Sequence, residues 1–150
     1  EARQRVELVL SGGQAVEDLR IAYPGRSVVL RTTGTGRAFV DADRLAQLLG
    51  NLVSNAMAHG DPEGTVTIAS AIDDRALTLT VHNTGAPIPA AQMPALFEPM
   101  TRGEAKGEGI GLGLFIVCEI ARHHGGSVVA RSSTAEGTTV EVILPLRARG

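Results

Sequence analysis

The chain has 150 residues, 43% of them hydrophobic and 20% charged, with a formal net charge of -2. That length lets one domain bury a core without staples, while the balanced charge and 3% aromatics lack the basic face and stacking platforms of a nucleic-acid binder. A single cysteine, Cys118, excludes a disulfide scaffold or cysteine-rich metal site, and the longest apolar run, Leu112 to Cys118, is too short to span a bilayer.

The start at Glu1 rather than Met, with no signal peptide, suggests a piece of something longer. Residues 1–10 read as a linker or the tail of an upstream helix, and residues 11–150 as one domain. Ser11-Gly12-Gly13-Gln14 resembles a capping box that opens a helix through Val16, Leu19 and Ile21, stopped before Pro24-Gly25. Ser27 to Thr32 is a β-branched strand, Thr33 to Arg37 a glycine-rich turn, and Phe39-Val40 a brief second strand. Asp41 or Asp43 then caps a long helix to His59, ended by Gly60-Asp61-Pro62.

Leu45, Leu48, Leu49, Leu52 and Ala56 repeat at helical spacing and predict its buried stripe. Gln47, Asn51, Asn55 and His59, each four apart, form a polar row on another face. Thr65 to Ile72 and Ala76 to His82 alternate about Asp73-Asp74-Arg75, a hairpin with Leu77, Leu79 and Val81 facing inward and His82 outward. Residues 83–110 are rich in Gly and Pro and too long for a plain connector, which predicts a functional loop. Gly111 to His124 reads as a helix ended by Gly125-Gly126, with Ile116, Val117 and Cys118 in the core and His123-His124 on the surface. Ser127 to Arg131 and Thr138 to Leu144 are the last strands; Thr138 shares parity with Val140, Val142 and Leu144 and so faces the core.

Two nucleotide-binding motifs are excluded. Lys106, the only lysine, is followed by Gly107 rather than Ser or Thr, so no Walker-type loop exists. Gly109-Ile110-Gly111-Leu112-Gly113 is followed by Leu114, not by the last glycine of a Rossmann fingerprint.

Five stretches nevertheless stand in the order and spacing of the ATP-binding domain of bacterial sensor histidine kinases, members of the GHKL superfamily with gyrase and the mismatch-repair ATPases. Leu49-Gly50-Asn51-Leu52-Val53-Ser54-Asn55-Ala56 resembles the N box, and Asn83-Thr84-Gly85-Ala86-Pro87-Ile88-Pro89 the first glycine box. Leu96-Phe97-Glu98-Pro99 resembles the F box, Gly109-Ile110-Gly111-Leu112-Gly113-Leu114 the second glycine box, and Glu136-Gly137-Thr138-Thr139 the segment before the last strand. The resemblance covers residues from about 11 to 145. It implies an α/β two-layer sandwich of the Bergerat type, a mixed and mostly antiparallel sheet with three helices on one face, and ATP between them.

The same resemblance implies the site. Asn55 matches the asparagine that binds Mg²⁺, whose hard shell suits an amide oxygen together with waters and phosphates. Asn51 stands where gyrase-like relatives carry a water-activating glutamate; an amide cannot take that proton, so slow hydrolysis and negligible self-phosphorylation are expected. His59 ends the row near the phosphates, after Ala58 in place of the family's basic residue. Asn83 replaces the family's adenine-reading aspartate and Pro87 its second glycine; certain histidine kinases, phytochrome-like ones included, carry a similar His-Asn-x-Gly segment. Because asparagine can present either its oxygen or its NH₂, Asn83 predicts weaker adenine affinity and relaxed base selectivity. Gly85 allows close approach to the base, with Ile88 beside it.

Phe97 to Glu108 matches the lid over the phosphates, with Arg102 and Lys106 as its cations. Gly109, Gly111, Leu112 and Gly113 lead into a helix start whose free N–H groups favour phosphate, and Thr138 matches a threonine beside adenine. The implied activity is transfer of the ATP γ-phosphoryl to a histidine on a separate dimerisation and phospho-acceptor domain, with ADP as product and a response regulator downstream. None of His59, His82, His123 and His124 resembles that acceptor. The implied place is the cytoplasm, in a membrane-bound or soluble parent, with no nucleic-acid or direct membrane contact. A regulatory nucleotide-binding module and an anti-sigma-type serine kinase of the same superfamily are the alternatives, the latter disfavoured by the F box.

Overall fold

The structure is a computed structural model. It describes residues 4–6, 14–33, 38–40, 42–98 and 112–146. Strand β1 (Gln4–Val6) is followed by α1 (Gln14–Ala22), β2 (Ser27–Thr33), β3 (Ala38–Val40) and α2 (Ala42–His59). Then come β4 (Thr65–Ile72), β5 (Ala76–Asn83), a 3₁₀ turn at Ala90–Ala95, α3 (Leu112–His123), β6 (Ser127–Ser133) and β7 (Gly137–Pro145). The expected capping residues Ser11 and Asp41 lie outside the described residues. Asp43 sits inside the first turn of α2, where a carboxylate favours the positive end of the helix dipole.

Five strands form one sheet in the order β2-β4-β5-β7-β6. Only β2 and β4 run parallel; every other neighbour is antiparallel. The β4–β5 hairpin turns at Asp73-Asp74-Arg75 as its alternation predicts. One element was not foreseen: Gln4–Val6, read as linker or helix, is extended and pairs antiparallel with β3. Three residues carry too little periodicity to announce a strand whose partner lies more than thirty positions away.

The core lies between one face of the sheet and the helices. Leu48, Leu52 and Val53 of α2 are buried together with Leu114, Val117 and Ile120 of α3. Facing them are Ile68, Leu79, Val81, Val140, Val142 and Leu144, all at most 3% exposed. Burying each such side chain contributes about 1.5–3 kcal/mol, so this face holds the sandwich together. Leu19 of α1 and Tyr23 just after it pack at its margin, whereas Ile21, expected on the same helix, is 77% exposed. Cys118 and Ile116 are only half-buried beside the buried Val117. Helix α3 ends in a Schellman motif, with Gly126 N–H donating to the Ala121 carbonyl, Gly125 N–H to that of Arg122, and Gly125 at φ 77°. Among the described residues no helix is long and apolar enough to cross a membrane.

Candidate functional site

Sheet register brings the site together. On the core face β5 and β7 pair only apolar residues, Leu77 with Leu144, Leu79 with Val142 and Val81 with Val140, until the last row, which reads Val28, Val66, Asn83, Thr138 and Ser132 across β2, β4, β5, β7 and β6. Asn83 is 3% exposed and Thr138 1%. Two polar side chains 55 positions apart in sequence are therefore paired in positions that leucine and valine occupy elsewhere on the same strands. Burial of this kind costs free energy unless each polar group finds a partner.

Each does. The Asn83 Nδ2 donates to the Thr84 carbonyl at 3.2 Å. The Ser132 Oγ lies 2.6 Å from Thr138 Oγ1 and accepts the Ile88 N–H at 2.9 Å. That bond engages one proton of the Asn83 NH₂ with the carbonyl of its own neighbour. Ile88, 5% exposed, is fixed by the same serine, and Leu96 and Phe97 of the following segment pack on the core.

The far wall is the end of α2. Along its polar row Gln47 is exposed, Asn51 and His59 are half-buried, and Asn55 is 8% exposed, so the row is deepest at Asn55. The buried Asn51 Nδ2 has no hydrogen-bond partner among the described residues. Ala58 is exposed. Beyond His59 the backbone of α2 meets the exit of β5 directly: Asp61 N–H donates to the Thr84 carbonyl at 2.8 Å. A Cβ on Gly60 would stand 3.0 Å from Asn83 Cβ, and one on Gly85, at φ 134°, would stand 2.8 Å from Asp61 N. Glycines at 60 and 85 allow the turn that ends α2 to approach the exit of β5 this closely.

On the opposite sheet face His82 Nε2 donates to the Glu136 carbonyl at 2.6 Å, pinning the β6–β7 turn to β5. Gly137, at φ 78°, lies under the Asn83 carbonyl and the His82 ring, so no larger residue fits there. His123 is exposed, and His124 bonds the Ile120 carbonyl at 2.9 Å. Leu112 and Gly113 open α3. Arg102, Lys106, Gly109 and Gly111 lie outside the described residues.

Sequence reasoning placed His82 on the outward face and Gly60 at the end of α2, as found, but foresaw neither their contacts nor any part for Ser132. Ser132 had a visible signal, because it continues the parity of Val128 and Ala130 with a hydroxyl at the end of an apolar series. Its partners belong to distant segments and show only in the register.

Among the described residues no three His, Cys, Asp or Glu side chains gather to hold a metal ion. The donor set is instead neutral amide, which fits Mg²⁺ arriving with phosphate and water rather than a protein cage.

With the fold and site in view, the likenesses are specific. Residues 40–148 match the family described as histidine kinase-, DNA gyrase B- and HSP90-like ATPase. The chain belongs to that family of ATPase domains. It is 37% identical over 123 residues to a sensor-like histidine kinase of Rhizobium meliloti, covering 79% of this chain and 23% of that protein. It is 33% identical to the sensor protein CutS of Streptomyces coelicolor over 96% of this chain and 36% of that one. A bacteriophytochrome of Pseudomonas aeruginosa is 36% identical over 77% of this chain and 16% of its own length. The chain thus spans about a third or less of these relatives. In fold it superposes on the mycobacterial sensor histidine kinase MprB with a TM-score of 0.78 at 24% identity, covering 97% of this chain and 98% of that one.

Proposed function

We propose that the Asn83–Thr138 pair receives the adenine of ATP, and that Asn55 holds the Mg²⁺ accompanying its phosphates. The observation that carries this reading is a buried polar pair at the end of the apolar β5–β7 ladder, set by glycine contacts against the turn that ends α2. Gly85 and Ile88 border the base. His59, Arg102 and Lys106, with Gly109, Gly111, Leu112 and Gly113 before and at the start of α3, take the phosphates. The N–H groups of a helix start and two cations suit that charge. Bound Mg²⁺ would neutralise phosphate charge.

In this reading the γ-phosphoryl passes to a histidine on a separate dimerisation domain, and from there to a response regulator. The protein's own contribution is positioning and charge neutralisation. Asn51, an amide, lacks the basicity to activate water, which leaves transfer favoured over hydrolysis.

The test is Asn55→Ala. Phosphotransfer to a supplied histidine-bearing helical domain should fall at least about a hundredfold, the scale of several kcal/mol of lost charge stabilisation. Calorimetry should show that Mg²⁺ strengthens ADP binding to the parent chain and no longer does so in the variant. A variant that transfers at the parent rate, with the Mg²⁺ dependence intact, refutes the role of Asn55.

A further inference from the structure

We propose that Ser132 is a positioning residue that sets the donor direction of the Thr138 hydroxyl and thereby selects adenine over guanine. The proposal rests on the reading of the Asn83–Thr138 pair as the base site.

Proton counting supplies the argument. The Ser132 oxygen accepts the Ile88 N–H, and among the described residues its remaining polar neighbour is Thr138 Oγ1, 2.6 Å away. A hydroxyl offers one donor and two acceptor positions. If Thr138 donated to Ser132, the serine would accept twice and its own proton would have no acceptor among the described residues. If Ser132 donates, both of its bonds are satisfied and Thr138, 1% exposed, keeps its proton for the pocket. The backbone N–H of Ile88 thus orients the chain Ile88 to Ser132 to Thr138.

The neighbouring strand completes the code. Asn83, directly across from Thr138, engages the Thr84 carbonyl through its NH₂ and in this reading presents its oxygen to the base. An acceptor beside a donor matches the adenine edge, whose 6-amino group donates and whose N1 accepts, directly or through one water. Guanine has a carbonyl and an N1–H at those places, so both contacts would oppose it. Leaving buried donors and acceptors unpaired is the strong form of discrimination.

Calorimetric titration of the full chain with Mg²⁺ and ADP, GDP or 1-deaza-ADP tests this; the last compound carries C–H in place of N1. Ser132→Ala should weaken ADP about fivefold and narrow the ADP-to-GDP ratio, the effect of one misdirected hydrogen bond. It should bind 1-deaza-ADP as well as the parent chain does, and Ser132→Thr should restore parent behaviour. Should the alanine variant fail to fold, Ser132→Cys keeps the volume with a weaker donor and should show the same loss. Equal weakening for ADP and 1-deaza-ADP, or an unchanged ADP-to-GDP ratio, would overturn the proposal by showing a merely structural hydroxyl. A parent chain that binds no ADP refutes the base site itself, and the role of Ser132 with it, before any variant is compared.

Discussion

The two ends of the β5–β7 ladder differ in one respect that separates stability from recognition. Near the hairpin Leu77 stands opposite Leu144; at the other end Asn83 stands opposite Thr138, on the same face and similarly buried. The apolar end gains from burial alone. The polar end gains nothing until each group is matched, and the fold supplies only internal partners: Thr84 for one, Ser132 for the other. In the proposed base site the Asn83 oxygen meets the ligand. A site of this kind holds groups that cost stability when empty and recover it when occupied.

Breaking the apolar end has the largest expected effect. Leu79 is fully buried in the central strand between Ser70 and Val142. Leu79→Ala should cost about 2–5 kcal/mol, from lost transfer energy and the cavity left behind. Thermal unfolding should show a fall of roughly 5–15 °C for a domain of this size. ADP affinity at low temperature, where the variant is folded, should stay within about twofold of the parent value, because distant sites act independently. An equal collapse of affinity would show that the two ends are not separable.

The apolar end was legible in the sequence, and the polar end only in part. Alternation fixed the inward face of β5 and β7, and helical spacing fixed the leucine stripe of α2, because both signals are local. Asn83, Thr138 and Asn55 were singled out through their motifs. Nothing local said that Asn83 and Thr138 would be cross-strand partners, since β5 and β7 become neighbours through a long-range crossover past α3 and β6. The orientation of the Asn83 amide depends on the Thr84 carbonyl, and the clasp of Gly60 on Asn83 on two backbones meeting. Strand β1 escaped for the same reason: its pairing partner, not its own three residues, makes it a strand.

Asn83→Asp sharpens the comparison at the polar end. The carboxylate loses the NH₂ bond and faces the Thr84 carbonyl, an acceptor against an acceptor, while buried. The empty variant should lose about 1–3 kcal/mol, the cost of an unsatisfied buried group. Bound adenine offers the missing donor, and a bond to a charged acceptor is roughly twice as strong as a neutral one. The variant should therefore unfold at lower temperature without nucleotide, yet show a larger stabilisation by saturating ADP than the parent. Thermal unfolding with and without ADP measures both. An ADP shift no larger than the parent's would mean that the side chain at this position does not meet the amino group.

The smallest effect is expected at the hairpin, where the apolar end of the ladder reaches solvent. Asp73 accepts the backbone N–H groups of Ala76 at 2.9 Å and Arg75 at 2.8 Å. The Ala76 bond, then that of Arg75, holds its carboxyl below the usual carboxylate value. A carboxylate whose folded value is depressed contributes stability above its unfolded value, near 3.9, and loses it as pH falls through the folded one. The substitution Asp73→Asn keeps an accepting oxygen without the charge, so the variant's melting point should lie about one degree below the parent's at neutral pH. That gap should close as the solution is acidified below about pH 4, where the parent carboxylate is itself being neutralised. ADP affinity should be unchanged throughout, since the turn lies at the end of β5 opposite Asn83. A gap of constant size from neutral to acid would assign the turn to geometry alone, and a gap that widened in acid would reverse the sign of the linkage.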